Sequence, residues 1–84
     1  MKTYFVTFRS ITFAQRGESV LQKAGIRCTL QRTPRWMETQ GCGYCLRIRM
    51  EDGMQAVSLL RQKQVPLGKT YLQRESGELE EVQL

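Results

Sequence analysis

The thiols are the first residues to question for chemistry. Cys42 and Cys45 stand in the run Gly41-Cys42-Gly43-Tyr44-Cys45, a spacing compatible with a disulfide or with shared metal ligation. The flanking glycines leave the Cys42 backbone open to close approach. A cysteine reacts as its thiolate, so nearby cations matter, and Arg32, Arg35, Arg47 and Arg49 supply them on either side of the motif. Thioredoxin-like proteins obtain part of that activation from a helix N-terminus, whereas this motif runs into an alternating, strand-like segment. Cys28, the third thiol, alternates with polar neighbours and reads as a strand residue facing a core. A zinc or iron–sulfur centre wants four ligands, and the chain carries 3 cysteines and 0 histidines, so only a dimer could complete one. No metal and no other cofactor is expected. Chemistry that needs an imidazole base is excluded.

Those residues must be held by a fold, and 84 residues with 40% hydrophobic content suffice for one two-layer core. An odd cysteine count in a short chain whose first residues alternate argues for a reducing compartment, the cytoplasm, and against a disulfide framework. No segment approaches the roughly 20 apolar residues of a membrane span. The formal charge of +5 admits an acidic partner or nucleic acid, but a merely basic soluble domain has the same composition.

Residues Lys2 to Arg9 alternate as a strand, with Tyr4, Val6 and Phe8 on one face. Thr12 and Gln15 match a capping box, and Phe13, Gly17, Val20, Leu21 and Ala24 recur at helical spacing until Gly25. Gly17 lies within that apolar stripe, where close approach to the sheet would explain a glycine. Ile26, Cys28 and Leu30 form the buried face of a second strand, and Leu46, Ile48 and Met50 that of a third, which puts Cys45 on the opposite face. Between them, 32–43 has no periodicity and is the kind of long connection that carries function; Trp36 in it suits either a partner contact or a cover for the sheet. Asp52 with Gln55 resembles a second cap. Met54, Ala56, Val57, Leu59 and Leu60 supply the apolar side of a helix ending near Gln64. Lys69 to Arg74 reads as a fourth strand.

The expected fold is therefore α+β with the ferredoxin-like split βαβ order β-α-β-β-α-β: a four-stranded antiparallel sheet with two helices on one face. Residues 1–75 form the domain and 76–84 an acidic C-terminal tail. The sheet face away from the helices would collect Phe5, Thr7, Arg27, Cys45, Arg47 and Tyr71, together with Thr29 and Arg49, and would be basic and partly aromatic.

A further set of residues carries a family resemblance. Phe8-Arg9-Ser10 leads into a helix with Ala14 and Glu18; Ala24-Gly25-Ile26 and Pro34-Arg35 follow, then Gly41-Cys42-Gly43-Tyr44-Cys45-Leu46-Arg47. Over about the first 75 residues this resembles the selenium/sulfur (Se/S) carrier protein-like family, small bacterial proteins catalogued as a domain of unknown function. The resemblance implies that Cys42, in the Cys-Gly step before a strand, holds sulfur or selenium as a persulfide or selenosulfide. Arg47 corresponds to the arginine just inside that strand. It implies as partners a donor enzyme such as a cysteine desulfurase and an acceptor protein. Cys45 departs from the family pattern, where a small apolar residue is usual.

Three readings follow. The first is sulfur or selenium carriage on Cys42, with Cys45 able to resolve the persulfide by releasing sulfide. The second is a CxxC thiol–disulfide oxidoreductase cycling Cys42 and Cys45. The third is a binding module that uses the open basic face for protein or RNA. RNA is disfavoured, because the third strand presents Arg47 and Arg49 where RNA-recognition domains place aromatics. An exposed edge strand leaves a homodimer open.

Overall fold

The computed structural model describes residues 2–33 and 43–83. They form β1 (Thr3–Thr7), α1 (Ile11–Lys23), β2 (Cys28–Arg32), β3 (Tyr44–Arg49), α2 (Met50–Gln62), β4 (Thr70–Gln73) and β5 (Leu79–Val82). Every strand pairing is antiparallel, and the order across the sheet is β2-β3-β1-β4-β5. The expected α+β class, the two helices and the antiparallel sheet are all present. The strand count and order need correcting: the sheet has five strands, so the elements run β-α-β-β-α-β-β. The extra strand lies in the acidic segment. Gly77, at φ 92, turns the chain back, and Lys69–Glu81 and Arg74–Glu80 ion pairs join β5 to the residues that flank β4. Cross-strand pairs of opposite charge let a segment with few apolar residues add to an edge.

Period-two alternation sorts the strands into two faces. Val6, Leu46 and Ile48 point to the helices and close a core with Ala14 and Leu21 of α1 and Ala56, Val57 and Leu60 of α2. Phe8, just past β1, is 1% exposed and lies against Gly17: a Cβ on that glycine would come within 3.1 Å of the Phe8 ring and 3.4 Å of Leu46. Gly17 thus allows the close approach of α1 to the sheet that its place in the apolar stripe suggested. On the other face Phe5 and Cys45 form a second buried cluster, with Tyr71 and Leu79 packed on it.

The helix starts differ from expectation. Ser10, not Thr12, caps α1, its hydroxyl accepting from the Phe13 N–H at 3.2 Å. Helix α2 follows β3 without a loop, so Met50 opens the helix instead of closing the strand, and Asp52 sits inside its first turn, where its charge suits the helix dipole. Met54, expected on the apolar side, is 72% exposed. The helix ends share one device. Ile26 N–H bonds to the Leu21 carbonyl and Val65 N–H to the Leu60 carbonyl, a Schellman closure at each C-terminus. Gly25 takes the left-handed position in α1 at φ 79, and Gln64 takes it in α2 at φ 59.

Gly53 of α2 packs directly on the Tyr4 ring, and a Cβ built there would fall inside the van der Waals envelope of that ring. Gly53→Ala should therefore lower stability by about 1–3 kcal/mol in spite of alanine's better helix propensity. Urea unfolding followed by circular dichroism checks this. An unchanged or higher midpoint would show that α2 does not sit on Tyr4.

Candidate functional site

The motif enters the sheet at the open end of the β2–β3 pair. Beyond the last ladder partners, Arg32 and Tyr44, the Thr33 N–H donates to the Gly43 carbonyl at 2.7 Å, which ties the two chain ends together. Gly43 is buried and has φ 82, a left-handed conformation that a side chain would strain. The second motif glycine is thus needed for the backbone turn into β3. The Arg32 guanidinium lies over the Tyr44 ring, 5.5 Å from its centroid, which holds both side chains at this corner. Cys42 precedes Gly43 directly; Arg35, Trp36, Gly41 and Cys42 lie outside the described residues.

Cys45 sits in the row Gln31–Cys45–Thr7 across β2, β3 and β1, on the face away from the helices as its parity predicts. It is fully buried beside Phe5, which the sequence did not reveal. A thiol at 0% exposure is closed to a protein-sized or even a peptide reagent. Arg47 is the next residue on that face, about 7 Å farther along β3, with Phe5 opposite on one side and Thr29 on the other; its side chain is exposed. Arg49 follows in the same line and pairs with Glu51 at 2.6 Å. The clue to the Phe5–Leu79 cover was the Ser76-Gly77 turn before an apolar residue in the acidic segment.

Cys28 belongs elsewhere. It pairs with Ile48, so it faces the helices, on the opposite side of the sheet from Cys45, and its Sγ is 4.0 Å from the Glu18 carbonyl. The two thiols therefore cannot share one metal or one disulfide within the sheet. Among the described residues no group of three Cys, Asp or Glu side chains could hold a metal ion, and no helix is long and apolar enough to cross a membrane.

Burial, and secondarily the charge of Glu18, pushes the Cys28 thiol above its ordinary value and keeps it protonated and poorly nucleophilic at neutral pH. Because the folded value is the raised one, the unfolded chain ionises first. The stability associated with the neutral thiol is complete below the unfolded thiol's ordinary value and is lost as pH rises through the folded one. Cys28→Ser should flatten the alkaline fall in thermal midpoint. An identical fall in both proteins would place its cause at other groups.

With this geometry in place, comparison with known proteins gives one result. A family model described as "Putative Se/S carrier protein-like" matches residues 3–72, a span that runs from β1 through most of β4 and includes the whole thiol motif. No curated protein and no solved structure matches the chain. With 3–72 of 84 residues covered, the chain belongs to the Se/S carrier protein-like family.

Proposed function

We propose that the protein carries a sulfur or selenium atom on Cys42 and hands it to an acceptor protein. The observation that supports this most is the family match across the entire thiol motif. The placement of the other two thiols is consistent with it, since Cys28 faces the helices and Cys45 is fully buried.

In the proposed loading step, the Cys42 thiolate attacks the outer sulfur of a donor persulfide. A new S–S bond forms on Cys42, the donor's S–S bond breaks, and the donor leaves as its thiolate, with no net redox change. Delivery is the same exchange with an acceptor thiolate as attacker. Arg47, exposed on the face that carries Cys45, is the cation proposed to stabilise the anionic persulfide. Attack by the Cys45 thiolate on the inner sulfur would instead form a Cys42–Cys45 disulfide and expel hydrosulfide. Cysteine desulfurases are the proposed donor class, and the reducing cytoplasm the proposed setting.

A delivery experiment tests the proposal. Protein loaded from a low-molecular-weight persulfide and freed of donor should release about one equivalent of sulfide per chain to dithiothreitol, and Cys28→Ala should release as much. A wild-type protein that takes up and returns no sulfur would reject it.

A further inference from the structure

A groove of about 600 Å³ opens at the corner of the sheet where β2 begins and β3 ends. Arg27, Arg47, Arg49, Thr3 and Thr29 line it on the face that carries Cys45, and Gln22 and Cys28 line it from the helix side. Arg47 and Arg49 share one face of β3, and continuing the Cys28–Ile48 register by one step brings Arg27 opposite Arg49. Like charges at opposed cross-strand positions destabilise a sheet unless an anion lies between them. Among the described residues one carboxylate, Glu51, answers these three cations, through Arg49. The helix end adds little negative potential, because the Leu21 and Gln22 carbonyls already accept from Ile26 and Gly25.

The groove is open: Arg27, Thr29, Arg47 and Arg49 are all exposed, so a small anion would stay largely in water, unlike ligands of enclosed pockets. Its outer wall is β2, which bonds to β3 on one side and is an edge of the described sheet. An edge strand accepts an extended chain by backbone pairing, and alternate side chains of that chain then fall on one sheet face. Single-stranded nucleic acid would need stacking platforms, but Phe5 is 6% exposed and Tyr71 is packed with Leu79, and neither lines the groove.

We propose that this groove is the docking site for an extended acidic segment of a partner protein, laid along β2 with alternate carboxylates forked by Arg27, Arg47 and Arg49. The guanidinium fork matches a carboxylate in two parallel hydrogen bonds, which a lysine-lined surface would not offer. The proposal goes beyond sulfur carriage and does not depend on Cys42.

Fluorescence anisotropy with a labelled peptide of alternating Glu and Val tests it. Wild type and Cys42→Ala should bind equally, and affinity should fall between about 0.05 M and 0.5 M salt. Arg47→Glu should weaken binding by ~10-fold or more, and the milder Arg27→Gln by a smaller factor, each with a wild-type melting profile. Lys63→Glu, which changes net charge equally at the far end of α2, should bind as wild type. The proposal fails if wild type does not bind the peptide, if folded Arg47→Glu and Arg27→Gln bind it unchanged, or if Lys63→Glu loses as much. Tighter binding of a labelled oligouridine than of the peptide would also overturn it, in favour of nucleic acid.

Discussion

Phe8→Ala should cost about 3–5 kcal/mol, the range for deleting a buried aromatic. The domain's whole stability, at 0.05–0.15 kcal/mol per residue, is of order 4–13 kcal/mol, so the variant would be close to unfolding at 37 °C. Phe8 is among the largest fully buried side chains, and its ring fills the space that Gly17 leaves between α1 and the sheet. A glycine has no side chain to swing into the vacated volume, and Leu46 on the far side is itself fully buried. The site is therefore poorly able to collapse, which places the cost at the upper end of the range. For a domain of this size the thermal midpoint should drop by roughly 15–30 °C. Met54→Ala, at an exposed position on α2, should stay within about 0.5 kcal/mol of wild type and serves as the control. A Phe8→Ala protein that melts within a few degrees of wild type would mean that the Phe8–Gly17 contact is not what joins helix to sheet.

The other large effect is expected at Cys42, where alanine removes the sulfur proposed to take the cargo from the donor. Loading should fall to background, because neither remaining thiol can substitute. Cys28 is held protonated on the helix side of the sheet, and Cys45 is fully buried. A partial loss would be hard to reconcile with this placement. Cys45→Ala should leave loading intact and lengthen the life of the persulfide, because the internal route to sulfide is then gone.

What could be read from residues alone divides along physical lines. Strand faces were legible because a period of two is rigid: once Leu46 and Ile48 face the core, Cys45 and Arg47 must face away, and the register agrees. Cys28 was legible as a core-facing residue for the same reason. Caps were not. Ser10 and Thr12 are both suitable hydroxyls two residues apart, and only the chain direction leaving β1 decides between them. Met50 fits the strand alternation and the first turn of α2 equally well, and the absence of any loop between β3 and α2 settles it for the helix. Strand β5 was hidden by composition, because its glutamates resemble a solvated tail until Lys69 and Arg74 are seen to pair with them. Gln64 carries no glycine signal for its left-handed turn; burial of Val65 just beyond it holds the closure. The burial of Cys45 depends on Phe5 and on the fifth strand that brings Leu79, for which the Ser76-Gly77 turn was the one sequence clue.

Intact-protein mass spectrometry tests the central claim most directly. Wild type and the single Cys-to-Ala variants of Cys28, Cys42 and Cys45 are incubated with a cysteine desulfurase and cysteine, without reductant. The account predicts a gain of one sulfur atom that vanishes only in Cys42→Ala. Sulfur retained by Cys42→Ala would contradict it, as would a loss of two hydrogens that requires both Cys42 and Cys45 and comes with no added sulfur, the outcome of a dithiol that cycles a disulfide.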